Sequence, residues 1–109
     1  MVEIKVIYDG NTIRGFKAQG HAGYASAGQD IYCAGVSAVT GTALIGLQKH
    51  LSQPPAYEVR DGWLECKLPD LLKREDLEKA QLILSTMEAG LISLQDNYPQ
   101  YIKVLTGRF

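Results

Sequence analysis

One cysteine and one histidine of this chain lie on either side of a glycine-rich stretch, close enough in sequence to share a site. Asp30 is a good helix N-cap, so a helix is predicted to begin there, with Cys33 in its first turn. In a first helical turn, the free N–H groups and the helix dipole favour a thiolate. His21, across the loop, is suited to accept the thiol proton. The pattern predicts a cysteine nucleophile with a histidine base.

Two polar residues near this pair have open interpretations. Asp30 either caps the helix only, or also orients the imidazole of His21, as the third member of a catalytic triad does. Ser37 follows Cys33 by one helical turn and either hydrogen-bonds near the thiolate or packs against its neighbours. We assign both residues a supporting role.

Glycines are frequent between the histidine and the cysteine. Gly20, Gly23 and Gly28 lower the cost of unusual backbone angles in this segment. We therefore expect them to act as hinges of a loop that closes over a substrate.

The second cysteine and the second histidine have simpler interpretations. Cys66 lies between Leu64 and Leu68 on the apolar face of a predicted strand, which is typical of a buried, inert thiol. His50 lies near the end of the first predicted helix, where a cation interacts favourably with the helix dipole. Neither residue is expected to take part in catalysis.

Other chemistries fit the sequence poorly. The two cysteines and two histidines lack the spacing of a zinc site, and no CxxC motif is present. Phosphatases carry an arginine six residues after their cysteine, where this chain has Val39. Both glycine-rich nucleotide motifs are absent, and we expect no cofactor and no metal.

The composition predicts one globular domain over residues 1–109. Hydrophobic residues make up 46% and charged residues 21%, as in folded proteins rather than disordered ones. The net charge of −1 argues against direct binding of nucleic acid. No apolar run is expected to reach membrane-spanning length and no signal peptide is recognised, so we expect a cytoplasmic protein with reduced thiols and no membrane partner.

Hydrophobic periodicity predicts seven elements. Turn signals at Gly10 and Gly62 predict two hairpins. One helix is expected from Asp30 to about Leu51, and a longer one over residues 74–97. The predicted strands cover residues 2–8, 12–19, 56–60, 63–68 and 101–106. The order β-β-α-β-β-α-β predicts an α+β two-layer sandwich, with one mostly antiparallel sheet and two helices.

The long second helix carries an apolar stripe with alternating spacings of three and four residues. Such a stripe faces the core in most globular folds. Ile83 and Ile92 lie outside the stripe and are candidates for a dimer contact.

The segments GHAGYA and GQDIYCAGVS together resemble the Prp family, the ribosomal-processing cysteine proteases of Firmicutes and related bacteria. The resemblance covers essentially the whole chain. It implies that His21 and Cys33 form the catalytic dyad, and that Asp30 and Ser37 match the other polar positions of the motif. Tyr32 stands where a smaller aliphatic residue is common, which bears on the shape of the pocket.

The same resemblance implies a substrate and an assembly. The family removes a short N-terminal extension from large-subunit ribosomal protein twenty-seven, and its members are homodimers. The extension presents paired aromatic residues before the cut, so an apolar cleft is expected. Gly20 and Gly28 fall where family members have a flexible loop.

Two rival functions remain open at the level of the residues. One is a non-catalytic, ribosome-associated binding module in which Cys33 is packed. The other is a cysteine hydrolase acting on a small acyl group in a closed pocket rather than on a peptide in a groove. For either hydrolase, backbone N–H groups at the start of the Asp30 helix are the expected oxyanion hole.

Overall fold

The computed structural model describes residues 1–21 and 30–108, and every predicted element is present. The strands are β1 (Val2–Asp9), β2 (Thr12–Gln19), β3 (Ala56–Arg60), β4 (Trp63–Lys67) and β5 (Ile102–Gly107). The helices are α1 (Ile31–His50) and α2 (Arg74–Asn97). The predicted boundaries were correct to about one residue, because turn glycines and prolines mark most of the ends.

The five strands form one sheet in the order β3-β4-β2-β1-β5. Strand β1 pairs in parallel with β5, and the other three pairings are antiparallel. The parallel pair is possible because the chain between β1 and β5 includes both helices. Hairpin turns join two of the antiparallel pairs, β1–β2 and β3–β4, whereas the chain from β2 to β4 passes through α1 and β3. The predicted α+β class and mostly antiparallel sheet are confirmed.

Both helices contribute to a single core on one face of the sheet. Side chains alternate along each strand, so residues two apart share a face. The strand side chains that face the helices and the apolar stripe of α2 are fully or nearly fully buried together. They are Val2, Ile4, Val6, Phe16, Cys66 and Ile102 from the strands, and Ala80, Leu84, Met87 and Leu91 from the helix. On the opposite face, Lys17 pairs with Glu65 at 3.4 Å in a half-exposed setting. In the described part of the chain, both helices therefore lie on the same side of the sheet.

Small residues allow the two helices to approach closely. A Cβ built on Gly46 of α1 would lie 3.6 Å from Ile83 of α2, which is ordinary van der Waals contact. The partly buried side chain of Ile83 thus packs against α1 within the same chain, and the dimer contact expected of it stays a prediction. Ile92 remains 40% exposed.

Helix α1 has an unusual composition for a helix with an exposed face. It has the length and apolarity of a membrane span, with a mean hydropathy of 1.4. The expectation that no apolar run reaches this length was wrong, because Gly, Ala, Ser and Thr interrupt the aliphatic residues without adding charge. In this fold one face of α1 packs on the core, burying Val36, Thr40, Ala43, Leu44 and Leu47.

A carboxylate holds the end of α1 to the start of α2. Both oxygens of the buried Asp76 accept hydrogen bonds from the backbone N–H of Ser52, at 3.1 and 3.2 Å, and the Ser52 hydroxyl donates to the same group. These bonds lower the pKa of Asp76, because they favour its ionised form. The contact fixes where α1 ends, and so helps to place the rest of the helix over the sheet.

Candidate active site

Asp30 caps helix α1 as predicted. Its backbone is extended, and its Oδ1 accepts hydrogen bonds from the N–H groups of Tyr32 at 2.9 Å and Cys33 at 3.1 Å. Its carbonyl oxygen accepts from the N–H of Ala34 at 3.1 Å. The cap therefore starts the helix at a fixed point and places Cys33 in the first turn.

The same hydrogen bonds correct one expectation. Backbone N–H groups at the start of this helix were expected to form the oxyanion hole, but those of Tyr32 and Cys33 donate to the side chain of Asp30. The N–H of Ala34 makes the first intrahelical bond, to the Asp30 carbonyl oxygen. A carboxylate at the N-cap satisfies donors that a helix start otherwise leaves free. These three groups are therefore not a ready oxyanion hole.

The fold brings Cys33 and His21 together. The Sγ of Cys33 lies 4.0 Å from Nδ1 of His21, and Cys33 is partly exposed. This separation is somewhat longer than a hydrogen bond, and hydrogen bonds between catalytic groups commonly tighten when substrate binds. Nδ1 is thus the nitrogen placed to exchange a proton with the thiol.

Backbone contacts hold His21 in this position. The N–H of Gly20 donates to the carbonyl oxygen of Gly62 at 2.9 Å, which ties the end of β2 to the β3–β4 turn. Gly20 has a φ of +93°, and a Cβ there would lie 2.7 Å from the carbonyl oxygen of Met1. The Met1 ammonium donates to the carbonyl oxygen of His21 at 2.6 Å. Only glycine fits at position 20.

The hinge role expected of the glycines remains a prediction. Gly20 lies at a firmly held corner at the end of β2. Gly23 and Gly28 lie outside the described residues.

The cysteine and the histidine face a cleft of about 470 Å³ between α1 and the β3–β4 hairpin, a size typical of ligand sites. Its apolar lining includes Ala18, Val36, Leu44, Val59, Trp63 and Leu64. Asp30 and the exposed Ser37 also line the cleft. Ser37 therefore faces the site, and its supporting role stays a prediction. The sequence pattern predicted a hairpin at the β3–β4 turn, but it did not indicate that this turn lines the site.

Tyr32 packs away from this cleft. Its ring stacks on Tyr101 with centroids 4.5 Å apart and an interplanar angle of 12°, and it contacts Tyr98 at 4.8 Å. Aromatic pairs at these separations stabilise a contact beyond their area burial. The tyrosine thus attaches the start of α1 to the chain between α2 and β5, and it is not part of the cleft lining.

The other cysteine and histidine lie elsewhere, as predicted. Cys66 is fully buried in the core, and burial raises the pKa of its thiol to about 12. His50 is exposed in the last turn of α1. The structure therefore separates one accessible thiol beside a histidine from one inert thiol.

This arrangement recurs in a known family. The family profile described as "Cysteine protease Prp" matches residues 1–103. The chain belongs to the Prp family of cysteine proteases. The resemblance carried by GHAGYA and GQDIYCAGVS is therefore confirmed, and so is the prediction of a cysteine protease rather than a non-catalytic module.

Individual Prp proteins agree with this assignment. The ribosomal processing cysteine protease Prp of Bacillus subtilis is 31% identical over 96 residues, 86% of each chain. A crystal structure of Prp from S. aureus with a covalently linked product peptide matches with a TM-score of 0.83 at 28% identity. It covers 97% of this chain and 99% of that one. A second S. aureus Prp structure, with a substrate peptide, gives 0.77 at 27% identity over 96% of each chain.

The two thiols should differ sharply in reactivity. At pH 7, a thiol of pKa about 12 is ionised in only about one molecule in 10⁵, and Cys66 is also inaccessible. We expect iodoacetamide to modify Cys33 in the folded protein and Cys66 only after denaturation, as read by peptide mass spectrometry. Similar, slow labelling of both cysteines in the folded state would contradict this assignment.

Substitutions at Asp30 should separate its two candidate roles. Asn caps helices about as well as Asp, whereas Ala lowers stability by about 1 kcal/mol. We expect Asp30→Asn to keep the thermal midpoint and Asp30→Ala to lower it, as measured by circular dichroism. A loss of turnover in Asp30→Asn at unchanged stability would assign the orienting role, and equal midpoints for both variants would refute the cap.

Proposed function

We propose that this chain cuts a peptide bond through a thioester on Cys33, with His21 as the proton carrier. The observation that carries the proposal is the 4.0 Å approach of Sγ to Nδ1 at the wall of an apolar cleft. The fully buried Cys66 has neither a neighbouring histidine at its thiol in the described part of the chain nor access to a substrate. Membership of a cysteine protease family supports the same reaction class.

The reaction follows from the positions of the two side chains. Nδ1 of His21 takes the proton of the Cys33 thiol, and the sulfur attacks the carbonyl carbon of the scissile bond. The C–N bond breaks, the leaving amine takes the proton from His21, and a thioester remains. A water molecule then gives a proton to His21 as its oxygen attacks the thioester carbon, which releases the acid and restores the thiol.

The proposed substrate is the N-terminal extension of large-subunit ribosomal protein twenty-seven. The relatives carry the name ribosomal processing protease, and the S. aureus protein holds substrate and product peptides in its crystal structures. The cleft is lined by apolar side chains along Val36, Val59 and Trp63, which suits the paired aromatic residues of such an extension. It lies between a helix and an edge hairpin and is partly open, which favours an extended peptide over a small acyl group.

We further propose that the protein works in the cytoplasm, as a homodimer, and without direct contact to nucleic acid. Two reduced cysteines are typical of a reducing compartment. The net charge of −1 does not favour binding to RNA. On α2, the 40% exposed Ile92 is an apolar residue available for a partner subunit.

Cleavage of the extended ribosomal protein tests the mechanism. We expect Cys33→Ala to abolish cleavage and His21→Ala to slow it by about 10² to 10⁴-fold. The chain offers matched controls, because Cys66→Ala and His50→Ala make the same changes away from the cleft. Both controls should keep turnover once their folding is checked by thermal unfolding. Cleavage that persists without Cys33 would disprove the mechanism.

Sedimentation velocity at micromolar concentrations tests the assembly. We expect a dimer that Ile92→Glu converts to a monomer, because a buried unpaired charge opposes association. Leu71→Glu, at an 87% exposed position before α2, is the control and should leave the dimer intact. A wild-type protein that sediments as a monomer would rule out the homodimer.

A further inference from the structure

The chain has two hairpin glycines with nearly the same backbone and different surroundings. Gly10, between β1 and β2, has a φ of +61°, and Gly62, between β3 and β4, has a φ of +67°. Both conformations favour glycine because a Cβ is strained in the left-handed region. A Cβ on Gly10 would meet nothing within 4 Å. The requirement at Gly10 therefore comes from the turn alone.

At Gly62, the imidazole of His21, the proposed catalytic base, adds a second reason for glycine. A Cβ there would lie 2.9 Å from Nε2 of His21, 3.4 Å from Cε1 and 3.5 Å from Cδ2. All three of its nearest neighbours thus belong to one imidazole ring. The other nitrogen of that ring, Nδ1, is the atom 4.0 Å from the Cys33 sulfur. The ring is held between the turn and the thiol.

We propose that Gly62 is a positioning residue for His21, a role that rests on the proposed function of His21. Its bare Cα lets the imidazole lie against the β3–β4 turn with Nδ1 directed to Cys33. The carbonyl oxygen of Gly62 also accepts the N–H of Gly20 at 2.9 Å. Gly62 thus contacts both the backbone that leads into His21 and the side of its ring that faces away from Cys33.

A side chain at position 62 is expected to displace the His21 ring more than it disturbs the fold. Carbon and nitrogen atoms without a bond between them keep about 3.5 Å or more apart, so a Cβ at 2.9 Å must displace its neighbour. The neighbour is the end of a side chain that can rotate, and the hairpin can stay intact. A displacement of about 1 Å in a catalytic group lowers turnover by about 10²-fold.

Alanine and asparagine at each glycine separate turn strain from ring displacement. Asn tolerates the left-handed region better than Ala, so it reduces the strain while keeping the Cβ. We expect Gly62→Ala and Gly62→Asn both to lower kcat by about 10²-fold with a smaller change in KM. Gly10→Ala and Gly10→Asn should lower the thermal midpoint by amounts similar to their Gly62 counterparts and keep kcat. Equal kcat values for the Gly10 and Gly62 variants would overturn the proposal.

Histidine NMR gives a readout that does not depend on activity. The chain has two histidines, and the exposed His50 in the last turn of α1 serves as an internal reference. We expect the imidazole signals of His21 to move in both Gly62 variants and to stay in place in both Gly10 variants. Unmoved His21 signals in Gly62→Ala would refute the positioning role. If His21→Ala keeps full turnover while those signals move, the proposed function fails and the packing of Gly62 on the ring stands.

Discussion

The site depends first on a backbone hydrogen bond from the N–H of Gly20 to the carbonyl oxygen of Gly62. It joins the end of β2 to a turn that is far away in sequence. Because His21 follows Gly20 directly, this bond sets where the imidazole starts. The ring then lies against the same turn, which leaves Nδ1 facing the thiol. The site is built from an end of the sheet, a hairpin turn and a helix start that meet at one place.

At the start of α1, backbone N–H groups of the first turn hold the N-cap residue. A free helix N-terminus stabilises an anion, and in this protein the Asp30 side chain accepts hydrogen bonds from that end of the helix. Three first-turn N–H groups donate to Asp30. The first turn therefore serves mainly to hold Cys33 at a fixed position, with the Tyr32 ring packed on Tyr101 as a second attachment. The proposed chemistry then depends on the histidine as the partner of the sulfur.

The two cysteines show how burial decides between chemistry and packing. Cys66 lies opposite Phe16 and Tyr57 in the sheet and has no exposed surface. A thiol in such a place resists ionisation because a charge without solvent or a partner is costly. Cys33 lies at the cleft wall and is within reach of His21. The same functional group is thus a small hydrophobic residue in one place and a proposed nucleophile in the other.

The sequence by itself determined the elements, their order, the apolar stripe of α2, the cap at Asp30 and the contrast between Cys33 and Cys66. These features depend on local patterns: alternation, helical spacing, turn glycines and capping residues. Only the tertiary structure decided that Ile83 packs on Gly46 and that the Tyr32 ring packs on Tyr101, outside the cleft lining. It also decided that Gly62 lies against His21. These contacts join residues that are distant along the chain or depend on the direction of a side chain, and no local pattern specifies which surfaces meet when the sheet and the helices pack.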